Sequence, residues 1–452
     1  MTEDVAAVLD QAREIVDPEP EEWEALEEGA EELIQRAQAA VSNLQVDAEV
    51  IRVGSTARGT WLSGDRDIDL FIKFSPELDR SELAQYGLQV GHEVLPSGQE
   101  KYAEHPYVTG QWSGFDVDIV PCYAVDSAKD IQSAVDRTPF HNEYVKENIN
   151  PTLASEVRLL KGFCAGQELY GSNLRTRGFS GYILELLILE YRTAEKLLSA
   201  AAEWKPQVHI DPVGHAQETF DDPLVVIDPT DPERNVAAVL SENNFARFQH
   251  YAREFLRSPE IGFFESSAKQ SISKTELNEE LANRDTTLLA LVFETPDLIE
   301  DDLYPQLRTS KQGITEGLTR NGFDVLRSDI AVSEDQTLIL VEVDVEKRAA
   351  IQRHDGPPVH IKEHAEDFYN KYRDDGTVYG PFIEDGRYVI ERQRSIQTAK
   401  EWCDSQQLLN VHHGTRIKDI LEQNYEIKIN NEIQSLLPEF EAALAEYFSP
   451  SP

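Results

Sequence analysis

Two short runs of residues carry groups whose types and spacing suit metal-dependent phosphoryl chemistry. The first is Val53-Gly54-Ser55-Thr56-Ala57-Arg58, and the second is Ser63-Gly64-Asp65-Arg66-Asp67-Ile68-Asp69-Leu70-Phe71. The apolar residues around Asp67 and Asp69 predict a strand, where residues two apart share a face and both carboxylates converge. Two like charges side by side are costly unless a cation lies between them. Mg²⁺ meets that need, because it takes oxygen ligands and binds one or two carboxylates together with substrate phosphates. The Gly54-Ser55 turn offers backbone N–H groups and a hydroxyl at a helix start, which can cradle phosphate oxygens. Arg58, one turn on, can reach a triphosphate. A third acid completes a two-metal clamp on the attacking and leaving oxygens. The run Phe115-Asp116-Val117-Asp118-Ile119-Val120-Pro121 presents two candidates on one face. Asp118 lies deeper in the apolar strand and is the choice, with Asp116 the alternative.

An aspartate pair two residues apart is common on solvated strand faces, and a Gly-Ser turn alone is weaker still. The combination of the turn, the arginine, the pair and a later acid is what carries the reading.

The surrounding pattern supplies elements able to position these groups. Two helical stretches fill residues 1–45, and the second places Trp23, Leu26, Leu33, Ala37 and Val41 near one face. Short β-like runs follow at 49–53, 67–74, 107–112 and 115–121, with an amphipathic stretch at 81–95. A small mixed α/β unit is therefore expected over 1–149. Pro151 opens a helix-rich region, 150–268, with helices expected at 152–166, 180–198 and 236–258 and an irregular Asp-Pro-rich stretch at 209–232. From residue 286 the order is strand, helix (305–320), an Asn321-Gly322 stop and two more strands, which suggests a ferredoxin-like or RNA-recognition-like unit within 269–452. A strand at YVIERQ and helices at 398–406, 415–422 and 431–447 end the chain.

Composition bounds the rest. With 452 residues, several domains are expected. No apolar run is long enough to cross a bilayer, and the first residues read as an amphipathic helix and not as a secretory signal. Cys122, Cys164 and Cys403 lack metal-ligand spacing and read as buried free thiols in a reducing cytoplasm. The 83 acidic against 42 basic residues give a formal charge of −41, which argues against a nucleic-acid partner if taken alone. The acidity is dispersed along the whole chain, so adaptation to molar salt is the preferred reading, and local basic patches then say more about partners than the net charge does. One such patch is Arg387, Arg392, Arg394 and Lys400, a candidate surface for RNA phosphates, with a solvated edge strand as the alternative.

The glycine-serine turn, arginine and three aspartates resemble the signature of the polymerase-β-type nucleotidyltransferase superfamily. VGSTARGTWLSGDRDIDLFIKF, FDVDIVPCY, RTPFHNEYV, EVRLLKGFCAGQELYGS, GFSGYILELL, DPTDPERNVAAVL and GPFIEDGRYVIERQR are similar to stretches of the archaeal-type (class I) tRNA CCA-adding enzymes, and cover nearly the whole chain. One departure is Asp67, where that family often has Glu. The resemblance implies an α+β multidomain protein with a polymerase-β-like head, a helical neck, a ferredoxin/RRM-like body and an α/β tail. It implies Asp67, Asp69 and Asp118 as metal-holding catalytic residues, Ser55, Arg58, His141, Lys161 and Tyr170 as contacts to ATP or CTP, and Arg234 as an arginine near the base. The expected reaction adds C, C and A from CTP and ATP to the 3′ end of tRNA with release of pyrophosphate. Another RNA nucleotidyltransferase, such as a poly(A) polymerase, and a silent RNA-binding module are the rivals. Expected partners are tRNA and the two nucleotides, with no membrane; a homodimer is allowed and not assigned.

Overall fold

The computed structural model describes residues 4–102, 104–265 and 271–452. They belong to two compact units, Met1–Ala268 with Pro452, and Lys269–Ser451.

The first unit opens with α1 (Val5–Val16) and α2 (Pro20–Leu44). Pro20 stands at the first position of α2, where its missing N–H costs nothing, and Glu19 and Glu22 close a capping box around that start. Then come β1 (Ala48–Val53), α3 (Gly54–Arg58), β2 (Asp67–Phe74), α4 (Arg80–Val94), β3 (Gln99–Tyr102), β4 (Pro106–Trp112) and β5 (Phe115–Tyr123). The five strands form one sheet in the order β1-β2-β5-β4-β3. Its strands alternate as expected. Ile68, Leu70, Ile72, Val117 and Ile119 pack with Leu26, Leu33, Leu83 and Val90 of α2 and α4, each large side chain worth about 1.5–3 kcal/mol when fully buried. The opposite face carries the aspartates and, adjoining them, a small apolar cluster of Val53, Phe71 and Cys122. The exposed strand β3 has no apolar signal of its own and forms by antiparallel pairing with β4.

Helices α5 (Arg137–Asn148), α6 (Pro151–Gly166), α7 (Gly181–Tyr191) and α8 (Ala194–Glu203) follow, then β6 (Val208–Ile210), β7 (Leu224–Asp228), β8 (Asp231–Asn235) and α9 (Glu242–Arg257). Leu159, Leu160, Phe163, Leu184, Leu187 and Phe248 sit in their shared core. Two expectations change here. The single helix over 180–198 is two helices, because Arg192 takes φ 74° and Thr193 caps α8 by accepting from Lys196 N at 3.2 Å. The stretch read as irregular holds a three-stranded sheet, β6-β7-β8, whose middle strand is buried throughout.

The second unit contains α10 (Lys274–Arg284), β9 (Thr287–Glu294), α11 (Glu300–Arg320), β10 (Val325–Val332) and β11 (Gln336–Val343). It continues with β12 (Ile351–Pro358), α12 (Lys362–Tyr372), β13 (Val378–Glu384), β14 (Arg387–Gln393), α13 (Ala399–Cys403), α14 (Gln406–Leu409), α15 (Thr415–Leu421), β15 (Glu426–Ile429) and α16 (Leu437–Phe448). An antiparallel sheet in the order β10-β11-β9-β15 gives the expected strand-helix-strand-strand core, completed by a strand from far down the chain. Both of its faces are covered. Leu289, Leu291 and Phe293 meet Leu307, Ile314 and Leu318 of α11, while Leu288, Ala290 and Val292 meet Phe440 and Leu444 of α16. A second sheet, β12-β14-β13, carries α12 on one face, with Phe368 and Tyr388 stacked at 6.3 Å. Cys122, Cys164 and Cys403 are all free and buried. Among the described residues no helix is long and apolar enough to cross a membrane.

Candidate active site

Strand register builds the site. The parallel pairing of β2 with β5 sets Asp67 beside Asp116 and Asp69 beside Asp118, and the antiparallel pairing of β1 with β2 sets Val53 beside Asp69. The turn after Val53 is thereby laid against Asp69. Gly54 has φ +78°, and a Cβ there would stand 2.3 Å from Asp69 Oδ2. Only glycine allows that approach. Ser55 follows at the start of α3, so Ser55, Asp67, Asp69 and Asp118 are gathered on one side of one sheet.

Their charges are strongly coupled. Burial, then Asp118 and Asp67, push the Asp69 carboxyl up to about 7, with Arg58 opposing. Burial also raises Asp67, with Asp65, Asp116 and Asp118 adding to it. Carboxylates so crowded ionise together only when a cation offsets them, and an all-oxygen donor set suits a hard divalent ion. Among the described residues no three acidic, histidine or cysteine groups close into a metal-ligating cluster. The aspartates lie side by side on adjacent strands, an arrangement suited to bridging an ion across the pair. Asp118 acts directly on Asp69, whereas the exposed Asp116 is held by Gln111 Nε2. Tyr107, which sequence reasoning passed over, borders the group; burial and then Asp118 and Asp69 raise its phenol.

Arg58 is turned toward α5 and α7. Its Nε donates to Glu185 Oε1 at 3.0 Å and its Nη1 to Asn142 Oδ1 at 3.3 Å, leaving the side chain 9% exposed. Thr60 Oγ1 donates to the same Glu185 oxygen at 2.5 Å. Lys161 is fully enclosed, donates from Nζ to Thr60 O at 2.8 Å, and is lowered to about 8 by burial against the opposing charge of Glu185. Tyr170 lies close by: a Cβ on Gly181 would be 3.3 Å from both Lys161 Nζ and Tyr170 Oη. Arg58, Lys161 and Tyr170 thus surround the junction between α3 and the helices α6 and α7.

His141 and Arg234 meet at a residue the sequence did not single out. Asp228, at the end of β7, faces His141 Nε2 at 2.7 Å and accepts from Arg234 Nη1 at 2.7 Å. The His141 ring stacks on Tyr182 at 4.1 Å. Asp228 opens the stretch DPTDPERNVAAVL, and the apolar run Leu-Val-Val-Ile before it marks a short strand ending in an acid.

Three matches with known families follow the same layout. A nucleotidyltransferase domain matches residues 32–141, a tRNA nucleotidyltransferase second domain matches 155–265, and the C-terminal domain of CCA-adding enzymes matches 284–430. The CCA-adding enzyme of Haloarcula marismortui is 48% identical over 466 aligned positions, covering 100% of both chains. That of Halobacterium salinarum is 49% identical over 99% of each. The chain belongs to the CCA-adding enzyme family. The Methanosarcina mazei member is 43% identical over 89% of each chain, so the likeness extends to a more distant archaeal relative.

The basic residues expected to meet RNA are more scattered than a single patch. β14 is the central strand of its sheet, not an edge. Arg387 and Arg392 are five residues apart on it and so point to opposite faces. Arg387 Nε donates to Gly356 O at 3.0 Å. Arg394 donates to Ala349 O and Asn321 O, both at 3.2 Å. Lys400 is exposed on α13.

Proposed function

We propose that this chain adds C, C and A in order to the 3′ end of tRNA, taking them from CTP and ATP and releasing pyrophosphate. The observation that carries the reading is Asp69, flanked by Asp118 across the strand pair and covered by the Gly54-Ser55 turn. Asp67, Asp69 and Asp118 would hold Mg²⁺ together with phosphate oxygens of the nucleotide, which complete a ligand set that the carboxylates alone do not close. When bound there, such an ion would offset the charge of the leaving phosphates and lower the proton affinity of the attacking hydroxyl. Ser55 and the backbone N–H groups of its turn bind phosphate oxygens. Lys161, enclosed beneath the turn, adds a weakly screened positive charge, and Arg58 holds the turn by its grip on Glu185. Tyr170 packs on sugar or base, while Arg234 and His141 read the base. The remaining work is positioning. Arg387, Arg392, Arg394 and Lys400 contribute contacts to tRNA, and the reaction takes place in the cytoplasm. The test is incubation of the full chain with tRNA lacking CCA, labelled CTP and ATP, with Mg²⁺ or with chelator. Two C residues and one A, then a stop, and nothing in chelator, are expected. A run of A residues, or addition that ignores the chelator, would overturn the reading.

A further inference from the structure

Asp228 is fully buried and is the acceptor for five donors. Its Oδ1 accepts from Thr230 N at 2.9 Å, Thr230 Oγ1 at 2.8 Å and Tyr182 Oη at 3.3 Å. Its Oδ2 serves Arg234 Nη1 and His141 Nε2, both at 2.7 Å. A carboxylate has about four lone-pair sites, so no capacity remains for a substrate group. Burial by itself would raise this carboxyl, but the bond and charge of His141, followed by the two Thr230 donors, hold it well below the usual range. Two partners extend from it toward solvent. Arg234 has one of its five N–H donors committed and a side chain 37% exposed. His141 has Nε2 committed, leaving Nδ1, and its ring plane is set by Tyr182 at an angle of 19°.

We propose that Asp228 is a positioning residue that locks Arg234 and His141 into one unit for recognising the base of the incoming nucleotide. This rests on the reading above that Arg234 meets the base. The three elements concerned, α5, α7 and the β7-β8 pair, are otherwise separate in sequence, and the carboxylate ties one side chain from each. Discrimination between bases requires a donor that stays in place when the wrong base offers it nothing. An untethered arginine follows whichever acceptor arrives. A guanidinium anchored at one end before the nucleotide enters cannot do so.

The experiment compares kcat/KM for CTP against UTP and for ATP against GTP on tRNA lacking CCA. It uses the wild type, Arg234→Ala, Asp228→Asn and the double variant. Asp228→Asn keeps the shape and turns an amide nitrogen toward the donors. Each single variant should lose about tenfold or more of the selectivity, and the double variant should be no worse than Arg234→Ala, because the two residues act as one. A merely structural role predicts additive losses and an equal fall in turnover for all four nucleotides, and either result overturns the proposal. Wild-type selectivity in Asp228→Asn beside impaired Arg234→Ala also overturns it and leaves the base-reading role standing. Unchanged selectivity in Arg234→Ala removes that role, and the proposal with it. If Asp228→Asn does not fold, the Tyr182→Phe, Thr230→Val pair removes two donors that seat Oδ1 and leaves the carboxylate. A two- to tenfold loss of selectivity is then expected, about the effect of loosening one contact, and wild-type selectivity refutes the proposal.

Discussion

Arg58 and Glu185 lie 127 residues apart in sequence and form an ion pair at 3.0 Å, with side chains 9% and 0% exposed. The pair joins α3, which opens with the Gly54-Ser55 turn, to α7. The same Glu185 oxygen also holds Thr60, so the whole C-terminal end of α3 is braced from one point.

Breaking such a pair from one side leaves an uncompensated buried charge, at a cost of about 3–5 kcal/mol. Glu185→Ala should therefore lower the stability of the first unit by that amount. It should also slow nucleotide addition by about 10²-fold, since a displacement of roughly 1 Å at the turn is enough. Denaturant unfolding at fixed salt and single-turnover incorporation test this. A variant within about 1 kcal/mol of wild type, far below the cost of a broken buried pair, would show that α3 is held by other means.

The three aspartates should be separable from their neighbour. Asp67→Ala, Asp69→Ala and Asp118→Ala should each slow addition of both C and A by at least about 10²–10³-fold, the usual loss for an electrostatic partner in a reaction site. Binding of tRNA should survive. Asp116→Ala, which removes an exposed side chain held by Gln111, should remain active. The reverse result for Asp116 and Asp118 would make Asp116 the third acid of the proposed site.

A second buried carboxylate permits a pH test within the second unit. Glu342 on β11 accepts from Arg284 at 2.7 and 2.9 Å, from Thr286 at 2.5 Å and from Tyr447 at 3.0 Å. Burial works against its charge, but the bonds from Arg284, Thr286 and Tyr447 outweigh it and hold the carboxyl below its ordinary value. A depressed carboxyl stabilises the folded state above the ordinary carboxylate range and loses that contribution as pH falls through its folded value. The protection of the amides along 338–343, taken relative to their intrinsic exchange rate at each pH, should therefore fall in acid. Glu342→Gln should lose about 2–3 kcal/mol of protection at pH 7, the scale of hydrogen bonds to a charged group, and show a flatter pH response. An equal response in both proteins would remove Glu342 as its source.

The gathering of the three aspartates was readable because strands alternate sides: Asp67, Asp69 and Asp118 sit among apolar neighbours that fix which face is buried. Gly54 and Ser55 were readable because a turn entering a helix needs such residues. Asp228 was not, since its strand is short and framed by Asp-Pro steps that read as loop. The direction taken by Arg58 was not either, because its partner Glu185 lies in a run, Gly-Tyr-Ile-Leu-Glu-Leu-Leu, whose apolar residues say only that the helix is buried. The strands β12 and β13 and helix α12 were passed over for a different reason. β12 is mostly polar and ends in Gly-Pro-Pro, β13 is apolar but broken by Gly380-Pro381, and α12 buries only Ala365, so none of them carries the periodic apolar signal that marks an element.

The formal charge of −41 sets the last prediction, because it opposes both a compact fold and a polyanionic substrate. The acids are on the surface: Glu21, Glu24, Glu27, Glu28, Glu31 and Glu32 are all exposed on or at the start of α2. At 0.1 M salt the screening length is about 10 Å, longer than the spacing of such neighbours, and it falls to about 3 Å at 1 M. Raising KCl should therefore relieve repulsion within the fold and between the fold and tRNA phosphates. An ordinary basic RNA-binding protein making six to ten phosphate contacts loses roughly 10³–10⁵ in affinity between 50 and 200 mM. This chain, with few cations to release ions from phosphate, should instead rely on shape, 2′-hydroxyl contacts and stacking. Its affinity for tRNA should fall far less steeply with log[salt]. The measurement is tRNA affinity, turnover and unfolding midpoint together from about 0.1 to 3 M KCl, a span over which the screening length drops several-fold. The midpoint should rise across it and turnover should peak at molar salt. Full stability and best turnover at the low end, with binding lost steeply above it, would show that the acidity serves some purpose other than tolerance of salt.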